Sequence, residues 1–156
     1  MITSHSVRLA RPSDAAAIAA MSRDFIEHGL GWGWDERRVL RNISDRSTNV
    51  AVVRERGELF GFGIMKYGED SAHLFLLGVH YLRRRRGIGS ALVSWLEASA
   101  LTAGVQDIHV EARVDNRTAR AFYAHLGFKE TAVIPGYYRG VEDAVRFRKH
   151  LHGERV

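Results

Sequence analysis

The chain has no cysteine, which excludes disulfide staples and thiolate metal sites and fits a reducing compartment. Nowhere do eighteen apolar residues run together, and the opening Met1 to Ser6 has no apolar stretch of the kind that a secretory leader carries. The expectation is a soluble, cytoplasmic protein without a membrane partner. Repeats, low-complexity tracts and linkers are also missing, so residues 1–156 are expected to form one domain with its core at about 7–151. A chain of this length buries roughly 68–70% of the surface it exposes when unfolded, enough for a core without staples.

Positive charge is present but focused. The net charge is only +5, yet four of the 23 Lys and Arg residues form the run Arg83-Arg84-Arg85-Arg86, followed by Gly87-Ile88-Gly89-Ser90. Upstream, His73 to Val79 reads as a buried strand; downstream, Ile88, Leu92, Trp95, Leu96 and Ser99 recur at helical spacing. The glycines therefore stand at a strand-to-helix turn, where the backbone approaches a ligand closely and the first helical turn offers unpaired N–H groups. An anion is the expected occupant. By charge alone, nucleic acid, a membrane surface and a phosphorylated small molecule all remain open.

The rest of the chain alternates short elements. Val7 to Ala10 reads as a strand, and Pro12-Ser13-Asp14 opens a helix expected over about Asp14 to Glu27. Gly29 to Trp34 is a loop of glycine and tryptophan, and Asp35 caps a second helix. Two hairpin strands about Gly57 and the strand ending at Val79 follow. After the long helix, Ile108 to Ala112 alternates, with His109, Glu111 and Arg113 on one face and Ile108, Val110 and Ala112 on the other. Asp115-Asn116 opens a helix through His125, and strands are expected near Phe128 to Ile134 and Ala144 to Leu151.

Strand, glycine turn, helix and strand, followed by Asn116-x-x-Ala119-x-x-Phe122-Tyr123-x-x-x-Gly127-Phe128, resembles the GCN5-related N-acetyltransferase (GNAT) family over essentially the whole chain. Arg84-Arg85-Arg86-Gly87-Ile88-Gly89 fits that family's motif of Gln or Arg, two residues, Gly, one residue, and Gly or Ala. The resemblance implies an α/β fold with a mixed, mostly antiparallel sheet of about seven strands and helices on both faces. It also implies acetyl-coenzyme A as acetyl donor, with backbone N–H groups from Arg85, Arg86, Gly87, Ile88, Gly89 and Ser90 on the pyrophosphate and Arg84 as the motif side chain. The strand before the turn would splay from its neighbour, so that Leu77, Gly78 and Val79 meet the pantetheine arm and the Val79 N–H faces the thioester oxygen. Nucleic acid then drops out as a partner. Dimers are common in the resembling family, which makes a homodimer an expectation.

Direct acetyl transfer needs an uncharged amine, a proton acceptor and a group that assists the departing thiolate. No cysteine is present to carry a covalent acetyl group. By resemblance to bacterial enzymes that acetylate ribosomal-protein N-termini, Glu111 aligns with the base, Tyr123 with the acid and Asn116 with a coenzyme-contacting amide. Gly136-Tyr137-Tyr138-Arg139-Gly140-Val141-Glu142-Asp143-Ala144 resembles the loop that walls the peptide slot in those enzymes, making Tyr137 and Tyr138 candidate acceptor contacts beside Trp32 and Trp34. The plainer readings are a surface Glu111 paired with Arg113 or His109, a core Tyr123, an Asn116 that only caps its helix, and packing roles for the tryptophans and tyrosines. The histidines share no ligand motif, so no metal is expected. The acceptor is expected to be a peptide or protein N-terminal amine. A small amine (amino acid, polyamine or drug) and a silent coenzyme-binding module are the alternatives.

Overall fold

The computed structural model of the protein describes residues 5–151; the ends of the expected domain, and His152, lie outside the described residues. The elements run β1 (Arg8–Leu9), α1 (Ala15–Met21), α2 (Glu36–Ser44), β2 (Thr48–Glu55), β3 (Glu58–Tyr67), β4 (Ser71–Val79), α3 (Ile88–Thr102), β5 (Asp107–Arg113), α4 (Arg117–His125), β6 (Lys129–Tyr138) and β7 (Glu142–His150). One seven-stranded sheet has the order β1-β2-β3-β4-β5-β7-β6, antiparallel throughout except between β4 and β5.

Strand alternation divides the core between two faces. Val50, Val52, Phe62, Ile64 and Leu76 pack under α1 and α2, with Ile18, Trp34 and Val39. Ala51, Val53, Met65, Leu74, Val110 and Phe147 pack under α3 and α4, with Leu92, Leu96 and Tyr123. Helix α3 lies close on β3 because that strand offers glycines: an added Cβ would stand 2.8 Å from Ile88 at Gly61 and 2.9 Å from Leu96 at Gly63. The N-terminus of α3 is thereby set against the end of β4.

The parallel pairing of β4 with β5 is short. It joins Ser71 through Leu74 to Asp107 through Val110 and then stops. A register shift against β3 leaves Phe75 bulged between Leu74 and Leu76, which re-aims β4 beyond that point. Strand β4 continues on β3 to Val79, β5 continues on β7 to Arg113, and a wedge opens between them.

Two elements depart from the sequence expectation. The first helix is composite: a 3₁₀ turn at Pro12–Asp14, α1, and a π-helical turn at Ser22–Ile26. The Glu27 N–H bonds the Ser22 carbonyl at 2.7 Å, and the Ser22 hydroxyl donates to Glu27 Oε2 at 2.8 Å, so one side-chain pair holds the wider turn. The last hairpin is longer than expected, placing Tyr137 and Tyr138 inside β6. Asp143 Oδ1 accepts the Gly136 N–H at 2.9 Å, and Pro135 is tolerated because β6 is an edge strand.

Asp14 ties the first turn to the sheet. Its carboxylate, 3% exposed, accepts Arg8 Nη1 at 3.0 Å and Arg54 Nε at 2.7 Å, and also takes the Arg11 N–H at 2.7 Å. Burial alone would raise its pKa, but these partners outweigh it and hold the carboxyl at about 2. The stabilisation is present above the unfolded carboxylate value and is lost as pH falls toward about 2. The shift corresponds to about 2 kcal/mol. In urea unfolding between pH 5 and pH 2, wild type is expected to lose about that much more stability than Asp14→Asn.

Candidate active site

The arginine and glycine turn leaves its amides free. His80 caps a 3₁₀ turn at Tyr81–Arg83 by accepting the Leu82 N–H on Nδ1 at 3.1 Å. Arg85 then takes a left-handed conformation, φ 66°, and Gly87 another, φ 82°. For an arginine that conformation costs about 1–2 kcal/mol, strain of the kind found at ligand-binding loops. Gly87 sits at the N-cap of α3 with no side chain to close it, so the N–H groups of Ile88, Gly89 and Ser90 have no intrahelical acceptor. Gly89 admits α4, since a Cβ there would stand 3.1 Å from the Phe122 ring. Arg84, Arg85 and Arg86 are exposed, whereas Arg83 turns away onto the Phe60 ring beside Glu58.

The edge of β4 faces the wedge with unpaired backbone. The His80 N–H bonds the Phe60 carbonyl at 2.7 Å, and Val79 pairs opposite Gly61. Antiparallel alternation then directs the amides of Leu77 and Val79 away from β3, toward the side that β5 has left. Gly78, between them, is buried against Phe62 and Ile26. Arg84 Nε reaches the Val79 carbonyl at 3.4 Å.

Tyr123 is 6% exposed and packs edge-on to Phe122 and Phe128 and tilted on Phe147. The plain reading of a core aromatic thus holds for the ring. The hydroxyl differs: it has no hydrogen-bond partner among the described residues, yet it is not among the fully buried unpartnered atoms, so it keeps contact with solvent. Burial first, then the nearby Tyr138 and Glu111, raises its pKa well above the usual phenol value. Asn116 caps α4, its Oδ1 accepting the Ala119 N–H at 3.0 Å, which leaves its Nδ2 donors uncommitted.

Glu111 is buried rather than superficial, its side chain 4% exposed, and its partners are not Arg113 or His109. Arg146, opposite on β7, donates Nε to Oε2 at 2.7 Å; His73 on β4 lies with Nε2 2.5 Å from Oε1; and the Tyr137 hydroxyl donates to Oε1 at 3.0 Å. Burial pushes the carboxyl up, but the bonds from His73, Arg146 and Tyr137 prevail and leave its pKa below the ordinary value. An ionised carboxylate only accepts, so His73 must carry its proton on Nε2, and Nδ1 is the basic atom of that ring.

The remaining candidates surround this cluster. Trp34 is core, with Arg38 over its ring at 3.8 Å, and touches Phe75, whose ring lies tilted against His73 at 4.5 Å. Trp32 is 44% exposed and held by Nε1 donating to the Ala19 carbonyl. Tyr137 and Tyr138 meet edge-to-face at 4.9 Å. Arg113 pins the π-helical turn to the sheet, donating to the carbonyls of Ile26 and His28, both at 2.8 Å. It lines, with Phe25, Asp115 and Asn116, a cleft of about 300 Å³. Sequence reasoning missed His73 and Arg146 as partners of Glu111, and Arg113 as the anchor of the π-helical turn. The only sequence signal for them is their place on strands, which does not give register. Among the described residues, no three metal-ligating side chains gather, and no helix is long and apolar enough to cross a membrane.

These features accompany similarity to known proteins. An acetyltransferase of Pectobacterium atrosepticum is 30% identical over 112 residues, covering 72% of this chain and 79% of the relative. Ard1 from Thermoplasma volcanium superposes with a TM-score of 0.85 at 23% identity, covering 97% of this chain and 100% of the other. The ribosomal-protein-S18-alanine N-acetyltransferase from Escherichia coli gives a TM-score of 0.80 at 25% identity, over 98% and 99% of the two chains. The sequence model of the acetyltransferase (GNAT) family matches residues 17–128. The chain belongs to the GNAT acetyltransferases and is an acetyl-coenzyme A-dependent N-acetyltransferase.

Proposed function

We propose that the chain acetylates a peptide or protein N-terminal amine by direct attack in a ternary complex. The reading is carried by the wedge between β4 and β5, with free Leu77 and Val79 amides along one edge and the Glu111 cluster and Tyr123 hydroxyl beside it. In this scheme, the N–H groups of Ile88, Gly89 and Ser90 hold the pyrophosphate, helped by those of Arg85, Arg86 and Gly87, and Arg84 adds charge. Asn116 offers its amide to the coenzyme, and the Leu77 to Val79 edge pairs with the pantetheine arm.

The amine attacks the thioester carbonyl, and the Val79 N–H stabilises the oxygen as it becomes negative. The amine's surplus proton goes to His73 Nδ1, directly or through one water, while Glu111 holds the ring and balances the imidazolium. Collapse breaks the carbon–sulfur bond, and the Tyr123 hydroxyl donates a hydrogen bond to the departing thiolate. Tyr137, Tyr138 and Trp32 line the approach of the acceptor. The peptide class is supported by the Tyr137-Tyr138 wall and by the likeness to an enzyme named for an alanine of ribosomal protein S18.

The test pairs binding with turnover. Coenzyme A is expected to raise the melting temperature even at high salt, and released thiol is expected with N-terminal peptides well above that with polyamines or aminoglycosides. Stabilisation that vanishes with salt would overturn the pyrophosphate assignment. Thiol release with small amines alone would overturn the peptide assignment.

A further inference from the structure

The wall between the Gly29–Trp34 loop and the last hairpin carries charge that acetyl transfer leaves unused. Arg139, at the turn after β6, extends its guanidinium to the glycines of that loop: a Cβ on Gly31 would stand 3.6 Å from Nη1, and one on Gly33 2.7 Å from Nη2. Arg38, from α2, arrives at the same point, with Nη1 3.6 Å from the Gly33 position. Neither guanidinium has an ion-pair partner among the described residues. The nearby carboxylate, Glu27, is committed to other donors. It accepts the Gly33 N–H at 2.5 Å, the Trp34 N–H at 3.2 Å and the Ser22 hydroxyl at 2.8 Å.

The other arginines around the slot are neutralised: Arg146 by Glu111, Arg113 by Glu142, Arg148 by Asp107 and Arg23 by Asp24. The two guanidinium groups without an ion-pair partner also belong to the slot's perimeter, Arg38 through its seat on the Trp34 ring. Contacts run from Glu111 through His73 and Phe75 to Trp34; its chain neighbour Gly33 faces Arg139 across the slot, and Tyr138 and Tyr137, the residues before Arg139, return by contact to Glu111. Against the single carboxylate of Glu27, the two guanidinium groups leave this corner of the rim net positive, which suits an anionic group on the acceptor and repels a polycation.

We propose that Arg38 and Arg139 form a carboxylate subsite of the acceptor slot, so that the preferred acceptor carries an acidic group close to its reacting amine. The inference rests on the reading of this slot as the amine site. A side-chain carboxylate and a free α-carboxylate offer the same chemistry, and the acceptors tested must separate them.

The acceptors are tetrapeptide amides beginning Ala-Glu, Ala-Gln or Ala-Lys, and an Ala-Ala dipeptide with its C-terminus free or amidated. The Glu peptide is expected to exceed the Lys peptide by about tenfold in kcat/KM, mainly through KM, with the ratio shrinking as salt rises. An α-carboxylate preference would appear in the dipeptide pair instead. Arg139→Glu is expected to invert the preference toward Lys, an outcome that unfolding cannot produce. Arg38→Gln is expected to lower the ratio severalfold. Equal kcat/KM across the acidic, neutral and basic peptides and across the dipeptide pair would overturn the subsite, as would an acidic preference that survives Arg139→Glu.

Calorimetry of the N-acetylated Glu and Lys peptides with the coenzyme A-loaded protein separates this inference from the transfer reading. Tighter binding of the Glu peptide without turnover of any acceptor would uphold the subsite and sink the peptide-acetylating function. Equal binding would sink the subsite.

Discussion

Tyr123→Phe is expected to lower turnover about a hundredfold, within the range typical of a lost proton donor, while leaving fold and coenzyme affinity nearly intact. The ring's contacts with Phe122, Phe128 and Phe147 are kept by phenylalanine, and the hydroxyl makes no hydrogen bond whose loss would matter to stability. Its raised pKa keeps it protonated at any working pH, so it always has a proton to offer. That pKa also lies above the value of about 8.5 ordinary for a thiol, so full transfer is uphill. The hydroxyl acts by donating to sulfur as charge develops, and bulk water completes protonation. An acetyl thioester of a more acidic thiol needs that help less. The deficit of the variant is expected to shrink with such a donor. A deficit of the same size with both donors would place the role of Tyr123 elsewhere.

The parts of the site legible in the sequence are those made by neighbouring residues. The Arg84 to Ser90 turn is readable because a strand, two glycines and a helix adjoin one another, and the Asn116 cap because its acceptor role lies three residues away. The facing of Glu111 away from Ile108, Val110 and Ala112 follows from strand alternation alone. Its partners do not: His73 is 38 residues distant and Arg146 35, and both meet Glu111 only through sheet register. Arg113 reaches Ile26 across 87 residues, through a π-helical turn that local periodicity reads as continuous helix. The wedge itself depends on one bulged residue, Phe75, in a run whose apolar composition gives no sign of it. A sequence therefore announces the donor seat more readily than the proton path, because the first is built along the chain and the second across it.

Glu111→Gln and His73→Gln are each expected to reduce kcat/KM about a hundredfold, and the double variant little further, because the two side chains act as one proton-accepting unit. The pH profile distinguishes this pair from a lone carboxylate base. With its pKa held below the ordinary range, Glu111 is ionised throughout neutral pH, so any acid limb near neutrality belongs to another group. Glu111→Gln should accordingly lower the plateau of the profile rather than erase a limb at the carboxylate's pKa.

Arg146→Gln supplies the complementary change. Burial pushes the Glu111 carboxyl up and Arg146 is one of the groups that pull it down, so removing Arg146 lets burial prevail. A raised pKa means protonation at higher pH, loss of the charge that supports the His73 imidazolium, and a fall in activity that begins at higher pH than in wild type. The stability cost of Glu111→Gln, which leaves a half-exposed Arg146 without its partner, should stay at about 1–2 kcal/mol, too little to imitate a catalytic loss. An acid limb that stays in place in Arg146→Gln, together with full activity in His73→Gln, would remove the pair from the proton path and return the base role to solvent.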